Sequence, residues 1–254
     1  MAAAFVDALA AARRPVVMEV KRRAADGTDL FASRSLVEIV RAYEAAGAPC
    51  LSVVTGRWFG GDPGMLAAVA GTTRLPVLLK DFVTSRRQLS TARDQGASAV
   101  LLTAAVLPRA QLAALVEAAV ALGLTPFVEI TTADECAGLA PADHCVVAVN
   151  NKDIADRERG PTHIARSLDL LPAVRRCGPA CTVSASGIDT PETAARLIRA
   201  GYDGVLVGTT LLRSGAPGDW ADRLDAALTA RTVATRPPAG GGAPARRASR
   251  AAPS

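Results

Sequence analysis

The stretch CTVSASGIDTPETAARLIRAGYDGVLVGT, residues 181–209, has the pattern of a strand, a helix and a second strand. The apolar runs CTVSASG and DGVLVGT at its two ends have the length and the valine content of buried strands. Between them, Thr190-Pro191 supplies a helix cap followed by a proline in the first turn, and Gly201 lies just past the predicted helix end. This order predicts two parallel strands joined by a crossover helix.

The same strand–helix unit repeats along the chain. Eight apolar runs predict strands at residues 15–21, 49–55, 75–82, 98–105, 125–131, 145–151, 181–187 and 203–209. Amphipathic or Ala/Leu-rich segments predict helices at residues 35–46, 64–71, 85–96, 109–122, 133–139, 163–174, 191–200 and 219–229. Strands that are apolar nearly throughout are typical of parallel strands covered by helices.

Eight such units in about 210 residues predict a single closed (β/α)8 barrel, the TIM-barrel fold of the α/β class, because closure leaves no edge strand. The length of 254 residues fits one such barrel. A doubly wound open sheet is the structural alternative. It requires a glycine-rich turn after the first strand, and the segment KRRAADG at residues 21–27 does not supply one.

The end of the chain differs in composition from the rest. Five arginines and no acidic residue lie beyond residue 230, so residues 1–230 hold 24 basic and 24 acidic residues and the net charge of +5 belongs to the end. That end is rich in Ala, Pro, Gly and Arg, a composition typical of disorder. We therefore predict a barrel at residues 1–230 and a disordered tail at residues 231–254, a solvated extension rather than a tether for polyanions.

Composition also restricts the partners and the compartment. Aromatic residues make up 4% of the chain, which argues against a stacking surface for single-stranded nucleic acid. No apolar run reaches the roughly 18–20 residues of a membrane span, and the order of charges at the N-terminus does not fit a secretory signal. The five cysteines have no spacing typical of a zinc site. We expect a cytoplasmic monomer or homodimer with reduced thiols that binds no metal, membrane or nucleic acid.

Polar residues interrupt the apolar strands at their C-terminal ends, where the active site of a barrel lies. They include Glu19, Lys21, Lys80, Glu129, Asn150, Lys152, Ser186 and Thr209. Two lysines and two glutamates in one apolar mouth would form an ion-paired network with shifted pKa values, which supplies a general acid and a general base. Ser186-Gly187 and Gly208-Thr209 follow strands seven and eight, the usual place of a phosphate cradle.

Several of these segments together resemble the indole-3-glycerol phosphate synthase family over roughly residues 5–213. They are PVVMEVK, LSVVT with a following FGGDP, PVLLKDF, GLTPFVEIT, VAVNNKD, SASGI and GVLVGTTLL. The resemblance implies a carbon–carbon lyase of tryptophan biosynthesis whose substrate is an anthranilate N-linked to deoxyribulose 5-phosphate. It implies ring closure with loss of carbon dioxide and water, without a metal or an organic cofactor.

The resemblance also implies roles for individual residues. Lys80 matches the general acid that acts on the ketone oxygen, and Glu129 matches the carboxylate of the later proton transfers. Lys21 matches a lysine that orients the anionic substrate. The remaining matches are Glu19 as support for the lysines, Asn150 as an active-site amide, and Ser186, Gly187, Gly208 and Thr209 as the phosphate site.

Three departures from the family pattern fall around the expected substrate pocket. Arg22 begins a segment that stands in place of a Ser-Pro-Ser loop, Lys152 replaces an arginine, and Ala185 replaces a glutamate. Losing the arginine removes a planar bidentate donor. Three alternatives therefore stay open: a divergent homologue in a specialised secondary pathway that acts on a different aryl or amino sugar phosphate, a catalytically silent barrel, and a lysine Schiff-base lyase.

Overall fold

Eight parallel strands close into a barrel in the computed structural model, which describes residues 4–153 and 160–230. Each strand pairs with the next in sequence order, and the last pairs with the first. The strands are β1 (Val16–Val20), β2 (Cys50–Val54), β3 (Val77–Lys80), β4 (Ala99–Thr103), β5 (Thr125–Ile130), β6 (Val146–Asn150), β7 (Cys181–Ala185) and β8 (Gly204–Val207). The predicted (β/α)8 barrel is confirmed.

Helices surround the barrel between the strands. They are α1 (Ala4–Ala10), α2 (Leu36–Ala45), α3 (Gly64–Thr72), α4 (Arg86–Asp94), α5 (Arg109–Ala121), α6 (Ile164–Arg176), α7 (Pro191–Ala200), α8 (Thr209–Ser214) and α9 (Pro217–Thr229). Side chains begin several of them: Ser35 and Glu38 form a capping box at α2, and Thr190 caps α7. The tail predicted at residues 231–254 lies outside the described residues.

The structure differs from the sequence prediction at three helices. The helix predicted at residues 133–139 is wrong: two short 3-10 turns, Ala133–Glu135 and Ala142–His144, occupy this connection. Gly138 adopts a left-handed φ of +77° and Pro141 follows, so an α-helix cannot continue there. The prediction also missed α1 and α8, which are only 7 and 6 residues long.

Apolar side chains fill the inside of the barrel toward the N-terminal ends of its strands. Strand residues such as Val17, Leu78 and Phe127 point inward, and α1 closes the N-terminal end with Phe5 and Leu9. The Phe5 and Phe127 rings meet edge to face with their centroids 6.2 Å apart. Because this end is plugged, only the C-terminal end of the barrel is left for a ligand.

None of the helices in the part of the chain that the structure describes is long and apolar enough to cross a membrane.

Candidate active site

Four polar side chains continue the inward-facing rows of the barrel at its C-terminal mouth. Side chains alternate along a strand, so Glu19 follows Val17 on the inner face of β1, and Lys80 follows Leu78 on β3. Glu129 and Asn150 take the same places on β5 and β6. All four are buried, with 2%, 9%, 3% and 0% of their surface exposed in the order named. The barrel therefore brings these predicted site residues together.

Glu19 holds two lysines at once. Its Oε1 lies 3.0 Å from Lys21 Nζ, and its Oε2 lies 3.4 Å from Lys80 Nζ. Because all three side chains are buried, water screens these pairs little and the attraction is strong. Lys21 Nζ also sits over the Phe59 ring, 5.3 Å from its centroid. The triad places two ammonium groups on one carboxylate at the mouth, where they can attract an anionic ligand.

Gly208 makes room for that carboxylate. A Cβ atom at this position would lie 2.6 Å from Glu19 Oε1 and 2.9 Å from Glu19 Cβ. Close approach of the Glu19 side chain therefore requires a glycine at this position. The sequence predicted Gly208 as part of the phosphate site, whereas the structure places it behind Glu19.

One side of the mouth opens into a polar cavity of about 330 Å³. Its lining includes the predicted residues Glu19, Lys21, Lys80, Lys152, Ser186, Gly187 and Thr209. Arg213 lies on its rim and is ion-paired at 2.6 Å with Asp26, which belongs to the loop after β1. Ammonium groups, hydroxyls and glycine backbone on one surface are the groups that bind phosphate in proteins.

The turn that enters this cavity after β7 has two consecutive left-handed residues. Ser186 and Gly187 both have a φ of +68°. A Cβ atom at Gly187 would lie 2.1 Å from Thr162 Cγ2, so only glycine fits there. A left-handed Ser186 is costly, and the surroundings must hold it. Asn151 does so by donating from Nδ2 to the carbonyls of Ala185 and Ser186, at 3.0 and 3.2 Å.

Asn151 belongs to a buried polar network that the sequence analysis missed. Ser167 Oγ donates to Asn151 Oδ1 at 2.8 Å and lies 2.7 Å from Ser184 Oγ. The Tyr202 hydroxyl donates to the Ser167 carbonyl at 2.7 Å. These contacts join the end of β6, the end of β7 and the first turns of α6. The signal in the sequence was a second asparagine in an otherwise apolar strand.

Arg166 fixes the turn that carries Lys152. Its Nη1 donates to the carbonyls of Asn150 and Lys152 at 2.9 and 3.1 Å, and its Nη2 pairs with Asp153 at 2.6 Å. The backbone N–H of Lys152 donates to Asn150 Oδ1 at 2.9 Å. The turn is therefore closed from both sides, and the Lys152 side chain lines the polar cavity. Sequence reasoning had assigned no role to Arg166.

Asn150 presents a donor next to a small residue. Its Nδ2 is buried and has no hydrogen-bond partner within residues 4–153 and 160–230. Ala185 is its register partner on β7. Ala185 faces inward and is buried, and it lines neither the polar cavity nor the aromatic cleft described below. A buried donor without a partner costs free energy, so this amide is a candidate to bind an acceptor atom of a ligand.

An aromatic cleft lies on the other side of the mouth. Trp58, Phe59 and Phe82 line it together with Leu101, Thr103 and Glu129. The Trp58 and Phe82 rings are 5.4 Å apart and tilted by 49°, and the two residues are 50% and 36% exposed. Lys80 lines both this cleft and the polar cavity. Lys80 thus lies between an apolar aromatic surface and the polar cavity.

Arg22 does not reach either cavity. Its Nε donates to Asp29 at 3.1 Å, its guanidinium lies 5.1 Å from the centre of the Phe31 ring, and it lines a separate surface depression. The expectation that it belongs to the substrate pocket stays a prediction, and Arg22 is not among the residues that line either cavity. The same loop reaches the polar cavity through Ala24, Ala25 and Asp26 instead. The turn that brings Asp26 there also lowers its pKa, because the Thr28 backbone N–H donates to its carboxylate and Arg213 pairs with it.

Comparisons with known proteins identify a family. The family model for indole-3-glycerol phosphate synthase matches residues 1–221. A protein of that name from Kineococcus radiotolerans is 38% identical over 205 residues, which cover 80% of this chain and 72% of the relative. The protein of that name from Pyrococcus furiosus is 34% identical over 210 residues, covering 82% of this chain and 90% of the relative. Indole-3-glycerol phosphate synthase 2 of Streptomyces coelicolor is 37% identical over 216 residues, with 84% and 82% covered.

A solved structure supports the fold alone. The 3-hexulose-6-phosphate synthase of Salmonella typhimurium superposes with a TM-score of 0.65 at 17% sequence identity, covering 84% of this chain and 97% of that one. The family assignment rests on the sequence matches, which extend over nearly the whole barrel. The chain belongs to the indole-3-glycerol phosphate synthase family.

Proposed function

We propose that the chain is a carboxy-lyase that closes the pyrrole ring of an arylamino-deoxyribulose 5-phosphate to give an indole glycerol phosphate. The observation that carries the proposal is the position of Lys80 between a polar cavity and an aromatic cleft. The substrate has the same order of groups, with a phosphate at one end, an aryl ring at the other and the reacting ketone between them.

The polar cavity receives the phosphate end in this proposal. Ser186 and Thr209 offer hydroxyl groups, Gly187 offers backbone without a side chain, and Lys21 and Lys152 offer positive charge. Charge-assisted hydrogen bonds to phosphate oxygens are the strongest that such groups make. The aryl ring lies in the cleft of Trp58, Phe59 and Phe82, where offset or edge contacts with the rings are favourable.

The ring-closing step then takes place at Lys80. The aryl carbon that bears the carboxylate attacks the ketone carbon, and Lys80 gives a proton to the ketone oxygen as the carbon–carbon bond forms. Glu19 keeps Lys80 in the ammonium form, since an opposite charge at 3.4 Å favours the charged state. Loss of carbon dioxide restores the aromatic ring, and the electron pair of the broken bond returns to it.

Dehydration completes the reaction. The hydroxyl group made in the first step leaves as water, and a proton leaves the neighbouring carbon to form the double bond of the pyrrole. Glu129 lines the cleft beside Lys80 and serves in this proton transfer. Lys21, fixed by Glu19 and by the Phe59 ring, orients the anionic substrate. Asn150 Nδ2 donates to an oxygen of the substrate.

A second candidate is the same chemistry on a different aryl or amino partner. It is favoured by the small Ala185 beside the unpartnered Asn150 amide and by Lys152 at the edge of the cavity. A glutamate at position 185 would add an acceptor for that amide, and its absence leaves the Asn150 donor for a substrate atom. Such an enzyme serves a specialised pathway rather than tryptophan synthesis.

The test is turnover of the anthranilate–deoxyribulose phosphate adduct, followed by indole fluorescence, with Lys80→Met as the control. We expect turnover in the native chain and none in the variant, whose fold stays intact because the aliphatic stem remains. Unchanged turnover in Lys80→Met would contradict the assigned general acid.

The same assay separates the two candidates. No turnover, together with tight competitive binding of the indole glycerol phosphate product, favours the different aryl partner. The double variant Ala185→Glu/Lys152→Arg is then expected to gain turnover on the anthranilate adduct. Neither turnover nor product binding would contradict both candidates and indicate a catalytically silent barrel.

A further inference from the structure

Two cysteine thiols meet outside the active site. Cys136 follows the 3-10 turn after β5, and Cys177 is the residue that ends α6. Their sulfur atoms are 3.1 Å apart, and the Cys177 thiol also lies 3.1 Å from the Cys136 carbonyl. Neither residue lines the polar cavity or the aromatic cleft. The proposed reaction uses neither, so this pair calls for its own explanation.

The two thiols differ in access to solvent. Cys136 is fully buried, while Cys177 is partly exposed. A small oxidant in water therefore reaches Cys177 first, and Cys136 is held directly behind it. A partly exposed thiol with a second thiol in contact is the arrangement of an attacking and a resolving cysteine.

The other three cysteines offer no competing site. Cys50, Cys145 and Cys181 are buried. Burial raises the pKa of these three thiols, and that of Cys136, to about 12, so the pair is distinguished by the solvent access of Cys177 and by the contact between its two sulfur atoms. Cys50 and Cys181 lie inside the barrel among the residues packed against α1. Oxidation of the folded protein is thus directed to one pair.

The chain around the pair can accommodate a bond. A disulfide has a sulfur–sulfur distance of about 2.0 Å, so the two atoms must approach by roughly 1 Å. Cys136 lies in a connection without an α-helix, and Cys177 is followed by the left-handed Gly178. Neither cysteine belongs to a strand, so this movement leaves the barrel pairing unchanged.

We propose that Cys136 and Cys177 are a redox modification site that forms a reversible disulfide with an oxidant of the disulfide class, such as oxidised glutathione. The Cys177 thiolate attacks one sulfur of the oxidant, the oxidant's sulfur–sulfur bond breaks, and one glutathione leaves. The Cys136 thiol then attacks the Cys177 sulfur, gives up its proton as the new sulfur–sulfur bond forms, and expels the second glutathione. The protein loses two thiol protons and two electrons, and the oxidant is reduced to two thiols.

The bond would tie the connection after β5 to the end of α6. It would join two residues 41 positions apart, a long loop whose closure restricts the unfolded chain. The melting temperature of the oxidised protein should therefore rise, by roughly 5–10 °C for a chain of this size.

The experiment treats the reduced full-length chain with oxidised glutathione at pH 8.5 and counts thiols by alkylation and mass spectrometry. Of the five thiols, we expect three to remain, with a mass loss of two hydrogens and a peptide cross-link between Cys136 and Cys177. Reduction should return all five. The Cys136→Ser variant should instead retain one glutathione on Cys177, because its resolving thiol is missing.

Cys50→Ser is the matched control, since Cys50 is buried in the core inside the barrel whereas Cys136 belongs to the core around it, and its loss should leave the cross-link unchanged. Native protein that keeps five thiols, that retains glutathione without a cross-link, or that links other cysteines would overturn the proposal. None of these readouts depends on turnover, so the result is independent of the proposed ring closure.

Discussion

At the scale of single residues, Glu19 determines the electrostatics of the mouth. One buried carboxylate pairs with Lys21 and Lys80, and removing or displacing it takes a counter-charge away from two buried ammonium groups. Gly208 behind it is part of the same arrangement, because the carboxylate occupies the place of a missing side chain. The position of Lys80, the proposed general acid, therefore depends on Gly208 through Glu19.

We expect Gly208→Ala to displace the Glu19 side chain and so disturb the site. The new methyl group would push Glu19 off its lysines, so turnover should fall by about 10²-fold. The free energy of unfolding should fall by about 1–3 kcal/mol, the usual cost of overpacking. Turnover assays and urea unfolding check both effects. Gly71→Ala is the control, because nothing lies within 4 Å of that position. Its helical site should gain slightly in stability.

Glu129→Gln tests the second proton-transfer group. The amide has the shape of the carboxylate but cannot accept a proton, so kcat should fall by about 10²–10⁴-fold. Steady-state kinetics separate the outcomes, since a rise in KM with unchanged kcat would assign Glu129 to binding instead.

At the scale of elements, the first turns of α6 organise two active-site turns. Arg166 holds the turn after β6, and its neighbour Ser167 holds Asn151, which in turn supports Ser186. A single helix thus sets the positions of Lys152 and of the strained turn in the polar cavity. The two turns are thus held in place by hydrogen bonds from the Arg166 and Asn151 side chains to backbone carbonyls.

Arg166→Met should loosen the turn that carries Lys152. Losing its contacts to two carbonyls and to Asp153 should lower the free energy of unfolding by about 1–3 kcal/mol. Displacement of Lys152 should reduce kcat/KM by roughly tenfold. Arg175→Met in the same helix is the control, because it removes only an exposed bond to Gly201. Equal losses in both variants would show a general effect on the helix.

At the scale of the whole molecule, side-chain contacts hold the segment before β1 against α9, the last described helix. Arg14, just before β1, pairs with Asp222 and Asp225 of α9 at 2.6 and 2.7 Å and donates to the carbonyl of Ala46. These contacts lower the pKa of Asp225, with the hydrogen bond from Arg14 as the main cause. Trp220 and Leu224 of α9 are buried against the rest of the barrel. Described residues up to Thr229 thus take part in the fold.

Deletion of residues 231–254 should leave melting and turnover unchanged. Their composition predicts a solvated extension, and among the described residues the contacts of Arg14 with α9 lie before it. We expect a change in unfolding free energy within about 0.5 kcal/mol. Calorimetry and the fluorescence assay check this, with deletion from residue 217 as the positive control for unfolding. A clear loss in the shorter deletion would show that the tail supports or gates the barrel.

The sequence by itself determined the barrel and the main residues of its mouth. Apolar runs, helix caps and the period of two along strands are local properties, so they identified eight strands and placed Glu19, Lys80 and Glu129 at one end. They failed at residues 133–139, where a left-handed glycine outweighs an amphipathic pattern. They also missed helices of one or two turns, whose patterns are too short to recognise.

Only the tertiary structure decided which of these residues touch. The Glu19–Lys80 pair, the Gly208–Glu19 contact and the Asn151–Ser186 bond join elements that lie 35 to 189 positions apart in the chain. Such contacts depend on the register of neighbouring strands and on barrel closure, and a periodic pattern reports only which face of its own element a residue occupies. The same limit explains why the sequence placed Arg22 in the loop after β1 but did not predict the direction of its side chain.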